Sequence, residues 1–521
     1  MPLSLAPFAD IPLSEDLLDA LIDEHEQRVL PRLQRLWRYY RNPLAEPHEG
    51  GGSSGPPAQR VGLPARLASS SVSSRSARRD SRLEREVVIE NDIAWRVHTL
   101  VDFMFPAPPR IVSTAKGEAT RRAIEAVLAA AFDASADGEG AALWQNAALL
   151  GSVYGHVDFL VSMLAPSGGA GEAGGSSDDG PAGALASEPS LNETLHRVRS
   201  SLVIETVEAP RAIALLNAHD YRVFDAYILR WEQPTNEIER ESMLSRVSRF
   251  LRITPTDAHP WASAKAGGRR SSVTITQIFS ADRVQRYEDD RLVFEQVNRL
   301  GRVPVVHVQN LPQPLCWEGL SDVEPLIPLQ DELNTRLSDR ANRVTMQSFR
   351  MWLGKGIENF NDRPVGPGQM WMTENLDASI EAFGGDADSP SERQHIEDLR
   401  EAMDKASGVT PAAAGHIKAK VGNLTSENAL RISLMGTLAK TKRKRLTYGA
   451  GIARLCELIL HALDVHGVHR SDPTDRGVEI AWSDPLPIDE TRRLNDGLLK
   501  VQLGVPAQTV RGELGYAAIT S

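Results

Sequence analysis

Cysteine is nearly absent: Cys316 and Cys456 stand far apart in 521 residues. That excludes a disulfide framework and a cysteine metal site, and it fits a reducing cytoplasm. No run of about 18 apolar residues occurs, so no membrane span is expected. Met1-Pro2-Leu3-Ser4-Leu5 lacks the basic region and long apolar run of a signal peptide. A basic excess is missing too: 58 Lys and Arg against 69 Asp and Glu leave a net charge of −11. A protein that grips nucleic acid statically shows the opposite balance, so any DNA contact should be local and weak.

Catalytic signatures are also lacking. Gly354-Lys355-Gly356 has neither the upstream glycine nor the following Ser or Thr of a phosphate-binding loop. Gly151-Ser152-Val153-Tyr154-Gly155 has no serine at its centre, where a nucleophile elbow needs one. His461, His466 and His469 are spaced by five and three, which fits no familiar zinc helix. Asp178-Asp179 and Asp289-Asp290 fall in loops or turns, where solvation explains them better than acid–base work. No catalytic residue, cofactor or metal is expected, and the chain does not read as an enzyme.

What is present is ample core, with 41% hydrophobic residues. Residues 14–41 predict an amphipathic helix: Ser14 is placed to cap it, and Leu17, Leu18, Leu21, Ile22, His25, Val29 and Leu33 recur at helical spacing. Asn42-Pro43 ends it. Residues 44–84 and 165–189 are rich in small residues and read as disordered inserts. Between them, helices are expected from 92 to about 105, near 117–133 and over 140–160. From 201 to 310 the period changes to two. Strands are expected around Val203–Val207, Ala212–Leu216, Ala226–Trp231, Val273–Ile278, Leu292–Glu295 and Val303–Val308.

The most informative stretch is 319–445. Ser321 and Glu324 have capping-box spacing, and Pro328 suits a first helical turn. Leu329, Leu333, Leu337, Ala341 and Val344 form a narrow apolar stripe. Asp331, Asn334, Arg336, Asp339, Arg340 and Arg343 flank it, which suits a helix packed among like helices in a ring. Residues 351–390 form a β-rich insert carrying Trp352 and Trp371, too small to bury a core alone. A second helix covers Ser391–Ser407. A glycine-punctuated segment with His416, Lys418, Lys420 and Asn423 follows, and a long helix restarts at Thr425-Ser426-Glu427-Asn428 and runs to about His466. Lys440, Lys442, Arg443, Lys444 and Arg445 put five basic residues in six positions, either a ring of charge near DNA or a solvated or acid-paired face. A strand at Val478–Trp482 and helices at 489–503 and 507–514 complete the chain.

This order resembles the portal proteins of tailed bacteriophages over roughly 14–43 and 87–515. Trp37-Arg38-Tyr39-Tyr40, the Ser321–Asn334 helix, Asn423-Leu424-Thr425-Ser426-Glu427-Asn428-Ala429-Leu430-Arg431 and Trp482-Ser483-Asp484-Pro485-Leu486-Pro487 carry the resemblance. It implies a mainly helical α+β fold with a mixed α/β wing (1–320), stem helices (321–350 and 391–408), a small β-rich clip (351–390) and a tunnel loop (409–425). A long wing-crossing helix (426–467) and a short helical wing or crown region (468–521) follow. It also implies a ring, usually of twelve subunits, at one capsid vertex of the virion, assembled in the host cytoplasm. Double-stranded DNA would pass through it during packaging and ejection. Partners implied are terminase, adaptor or head-completion proteins and the major capsid and scaffolding proteins. His416, Lys418, Lys420 and Asn423 would lie at the channel, and Trp352 and Trp371 would dock adaptors. The alternatives are another head–tail connector ring, or a metal-dependent enzyme with an unrecognised site.

Overall fold

The computed structural model describes residues 5–8, 10–42, 59, 62–64, 67, 86–133, 140–163, 190–234, 272–289, 291–348, 351–355, 377–383, 390–414, 431–486 and 490–514. The fold is α+β and mainly helical. Helices α1 (Glu15–Glu24) and α2 (Leu30–Arg41) run together through a π-helical turn at His25–Val29. Ser14 caps α1 as predicted, its hydroxyl accepting from the Leu17 N–H at 3.2 Å. Asn42 in the left-handed region stops α2. His25 is buried beside the Pro210 carbonyl, 2.9 Å from Nε2, and burial lowers its pKa.

Next come α3 (Asp92–Met104), β1 (Arg110–Ser113), α4 (Glu118–Asp133) and α5 (Gly140–Tyr154). The helix expected over 140–160 therefore ends early. Gly155, at φ 97°, turns the chain into β2 (His156–Met163). Val157, Phe159, Leu160 and Val161 are all buried, so both faces of β2 are covered. Such a strand shows no alternation to separate it from a buried helix. Only glycine fits at 155: φ is positive, and a Cβ would run into the Gly319 carbonyl oxygen.

Helix α6 (Leu191–Ser201), capped by Ser190, was not anticipated. Strands β3 (Leu202–Val207), β4 (Ala212–Leu216), β5 (Phe224–Pro234), β6 (Ser272–Ser280), β7 (Arg283–Glu288), β8 (Arg291–Val297) and β9 (Val305–Gln309) form two antiparallel sheets, ordered β3-β2-β9 and β4-β5-β6-β7-β8. One face of the five-stranded sheet, with Ile213, Ile228, Ile278 and Tyr287, is covered by Leu5, Phe8, Leu13, Leu18 and Ile22. The other face, with Tyr227, Leu229 and Phe279, packs on Leu160, Val207 and Val305 of the three-stranded sheet.

The chain continues through α7 (Ile327–Ser348), β10 (Met351–Lys355), β11 (Ser379–Phe383), α8 (Pro390–Ser407), α9 (Met435–Val465), β12 (Val478–Ala481), α10 (Glu490–Gln502) and α11 (Ala507–Leu514). β10 pairs antiparallel with β11, which gives the insert its β character, and β12 pairs with β1. The restart expected at Thr425–Asn428 lies outside the described residues. Helix α9 is the spine of the main core: Ile452, Leu455, Cys456, Ile459 and Leu463 are buried with Val97, Val127, Leu143, Val153, Phe159 and Val308. By length and composition α9 is apolar enough to cross a membrane, but here many of its apolar positions lie in this core.

Helix α9 lies close on β9 because Gly451 has no side chain. A Cβ there would press on the Val308 methyls, 3.2 Å from Cγ1. Gly451→Ala should therefore destabilise the chain by about 1–3 kcal/mol through overpacking, despite alanine's better helix propensity. Urea unfolding would show it; an unchanged or raised midpoint would mean that the helix and strand can move apart at no cost.

Candidate functional site

A dense set of buried polar side chains lies where the α7–α8 hairpin meets the rest of the chain. Ser321 makes the entry turn. Its hydroxyl accepts from the Val323 and Glu324 N–H groups at 3.1 and 3.3 Å and donates to the Val153 carbonyl at 2.5 Å. The expected capping box is thus half formed, because the Glu324 carboxylate pairs with Arg32 instead, at 3.0 Å. Asp322 follows, its N–H on the Ser152 carbonyl at 2.8 Å and its carboxylate fully buried.

Two lysines of α9 close on that carboxylate. Lys440 Nζ lies 2.7 Å from Oδ1, and Lys444 Nζ lies 2.5 Å from Oδ2. Lys440 also donates to the Ser407 carbonyl at the end of α8, at 2.6 Å. Lys444 donates to the Ser152 hydroxyl at 2.8 Å, and the Asn310 amide donates to Asp322 Oδ2 at 3.0 Å. Burial pushes the Asp322 carboxyl up, but the two ammonium groups outweigh it and hold it well below the usual carboxylate range. Burial lowers the pKa of Lys444. One carboxylate thus joins the start of α7, the end of α8, the end of α5 and the spine α9.

A second clamp grips the same end of α8. The buried Arg96 guanidinium of α3 donates to Asp404 at 2.7 Å, to the Ser407 hydroxyl at 3.2 Å and to the Val409 carbonyl at 2.8 Å, and pairs with Asp92 at 3.2 Å. Gly408, at φ 70°, turns the chain out of α8 between these grips.

Along α7 runs a ladder. Gln330, Asn334, Ser338 and Asn342 recur every fourth residue and face the extended segment 86–92. Their side chains accept from the backbone N–H groups of Asp92, Glu90, Val88 and Glu86 at 3.0, 3.0, 2.9 and 2.8 Å. Gln330 and Asn342 return a donor to the Glu90 and Glu86 carbonyls, at 2.5 and 2.8 Å. Four helical residues rise about 6 Å, and two extended residues about 6.6 Å, so the rungs nearly match every second residue. The Asn334 amide turns instead to Gln59 Oε1 at 3.0 Å.

Five of the six flank residues of α7, all but Arg340, therefore have partners inside the subunit. Asn334 is fully buried and cannot contact a neighbouring helix, which corrects its assignment as an oligomer contact. Asp331 accepts from the Tyr39 hydroxyl at 2.8 Å; burial, aided by Asp331, pushes Tyr39 up to about 12. Arg336 pairs with Glu332 and Asp339 along its own helix, and Arg343 pairs with Glu392 of α8. Arg340 is exposed.

The basic run divides likewise. Lys440 and Lys444 are buried with Asp322, and Arg445 lies over the Trp482 ring and donates to the Phe103 and Ser483 carbonyls at 3.1 and 2.8 Å. A ring of five surface charges is therefore corrected to two exposed positions, Lys442 and Arg443. His416, Lys418, Lys420, Asn423 and Trp371 lie outside the described residues; Trp352 is in β10. Among the described residues, no group of three or more His, Cys, Asp or Glu side chains is arranged to hold a metal ion. Sequence reasoning missed Asp322, Arg96 and the strap 86–92; the fourfold spacing of Gln330, Asn334, Ser338 and Asn342 was the available signal.

Residues 268–515 match the family described as phage portal protein, SPP1 Gp6-like. No curated protein matches the sequence. Among solved structures, the neck of an empty gene transfer agent particle, computed with C6 symmetry, resembles the chain at 12% identity and a TM-score of 0.44, over 82% of this chain and 90% of that one. The virion of a native gene transfer agent particle resembles it at 12% identity and a TM-score of 0.39, over the same shares. Both superpositions are loose.

Two substitutions weigh the joint. Asp322→Ala leaves two buried ammonium groups without a counter-charge and should cost about 3–5 kcal/mol at neutral pH; a loss below about 1 kcal/mol would show that the lysines reach solvent readily. Asn334→Leu strands the Glu90 N–H and the Gln59 carbonyl oxygen, about 1–3 kcal/mol each. Asn342→Leu, at the more open end, should cost clearly less. Equal losses in chemical unfolding would mean that the ladder does not carry the strap.

Proposed function

We propose that the chain is the subunit of a portal ring at one capsid vertex. The observation that carries this is the hairpin α7–α8, rooted on the spine α9, within the stretch that matches the portal family. In this reading residues 1–320 are mainly wing, 321–350 and 391–408 the stem, 351–390 the clip and 409–425 the tunnel loop. Residues 426–467 are the wing-crossing helix, and 468–521 a short wing or crown region. The ring is the channel for double-stranded DNA in packaging and ejection, and the clip docks terminase and the adaptor or head-completion proteins.

The chemistry of such a channel is electrostatic. Lysine is a point charge on a long stem, so Lys418 and Lys420, repeated around the ring, suit contact with passing phosphates without locking register. An acidic chain, at net charge −11, keeps the remaining walls from adhering. The partner motor supplies the work, since no nucleotide-binding motif is present.

The mass of the purified particle tests the reading. Twelve chains of 57.0 kDa weigh about 684 kDa, and end-on electron micrographs should show a closed ring with a central hole. A neighbouring subunit number leaves the proposal standing. A chain that stays monomeric at high concentration overturns it. If rings form, Lys418→Ala with Lys420→Ala should impair DNA packaging or retention without affecting assembly. Unchanged packaging and retention would remove the role given to that loop.

A further inference from the structure

Under the loop that leads into α7 lies a buried cluster that the portal reading does not use. His156, the first residue of β2, is buried, and neither ring nitrogen has a hydrogen-bond partner among the described residues. Its ring lies 5.2 Å from His307 of β9 and 4.7 Å from Trp317 of the connector 311–320, centroid to centroid. His307 is engaged at both nitrogens: Nδ1 lies 2.6 Å from Asp158 Oδ1, and Nε2 lies 2.6 Å from the Trp317 carbonyl oxygen. Both contacts are oxygen atoms, so His307 has no ring nitrogen to spare for His156. Asp158 is further tied by the Tyr227 hydroxyl at 2.7 Å.

We propose that His156 is an acid-sensitive latch: taking up a proton, it expels Trp317 and frees the connector 311–320 at the entrance to α7.

The reasoning starts from hydration. A charged imidazole needs acceptors or water, and the buried His156 ring has no acceptor on either nitrogen among the described residues. The half-buried Trp317 indole packs against it, on a connector whose residues 314–316 are exposed, so hydrating His156 requires the indole to leave. The charged and titratable groups facing His156 are Asp158 on its own strand, His307 on β9, Glu318 on the connector and Arg32 on α2. Asp158 is already occupied by His307 and Tyr227, and Glu318 by Arg32 at 2.9 Å. His307 and Arg32 oppose a second cation. The connector's other ties, Gln309 Nε2 to the Cys316 and Trp317 carbonyls at 2.8 and 2.9 Å, are neutral hydrogen bonds.

Burial, with His307 and Arg32 adding to it against Asp158 and Glu318, lowers His156 to about 4, whereas a hydrated histidine titrates near 6.5. The open form therefore binds the extra proton first. As pH falls from about 6.5 to about 4 the opening equilibrium gains up to tenfold per unit, roughly 300-fold in all. Above that window the latch stays shut. The inference concerns this joint alone and holds whether or not the chain forms a ring.

The test is acrylamide quenching of Trp317 in the full chain, read as the difference between wild type and Trp317→Phe, from pH 7.5 to 4. Quenching should rise through the acid range in wild type and stay flat in His156→Phe, which fills the same space without a titrating nitrogen. A flat wild-type profile overturns the latch. So does the same rise in His156→Phe, which would place the titration on the His307–Asp158 pair. Should His156→Phe not fold, His156→Leu serves, and the wild-type arm alone still decides against the proposal if it is flat.

Discussion

The Asp322 carboxylate is the constraint on which the arrangement of this chain depends. It holds Lys440 and Lys444 from α9, and through them it joins the start of one hairpin helix to the end of the other. Burying three charged groups together is not an efficient way to stabilise a fold, since desolvation offsets most of the attraction. A well-packed apolar cluster would hold the same elements together. It would not fix their register, because apolar attraction has no direction. Ion pairs of 2.5 and 2.7 Å and a carbonyl contact of 2.6 Å allow few alternative placements of α8 against α9. The polar node adds geometry to a core that already supplies the cohesion.

The ladder on α7 solves a related problem differently. Segment 86–92 is extended yet belongs to no sheet, so its backbone groups need partners elsewhere. Side chains at fourfold spacing provide them, and the helix becomes a substitute sheet edge. Acidic residues of the segment fix its position: Glu90 meets Arg400 of α8 at 2.6 Å, and Glu86 meets Thr345 of α7 at 2.8 Å. Arg96 then continues the path from Asp92 to the end of α8. The hairpin is thus held at its root by ions and along its length by amides, and the two systems meet at α8.

Periodicity made most of the secondary structure legible. β7 was not expected, whereas the helices at 15–41, 92–104, 118–133 and 390–407 and the strands β3, β4, β5, β6, β8 and β9 fell close to their expected places. β2 did not, because burial on both faces erased the alternation that marks a strand, and the glycine at 155 was the sole local sign of the turn. The site was harder to read. A lysine on a helix looks the same in sequence whether it faces water or a buried aspartate, and Asp322 lies far from Lys440 along the chain. Asn334 illustrates the same limit: its polarity suited an outward contact, while its true partner is a backbone segment some 240 residues away. Long-range polar pairing leaves no periodic trace.

That pairing changes the electrostatic picture of the long helix. Five cations in six positions invite a reading as a charged band, but three are spent inside the subunit, on a carboxylate and on backbone carbonyls. Lys442 and Arg443 alone remain for solvent in that stretch. A chain with a net charge of −11 that also buries Lys440 and Lys444 around one aspartate presents a surface one unit more acidic than its composition indicates. Any polyanion moving past such a surface is repelled by most of it and attracted only at discrete places. Weak, spaced attraction on a repelling wall permits guidance without adhesion, because few counterions are released at any one position. The internal cations thus serve the hairpin's geometry, and by being buried they leave the surface acidic.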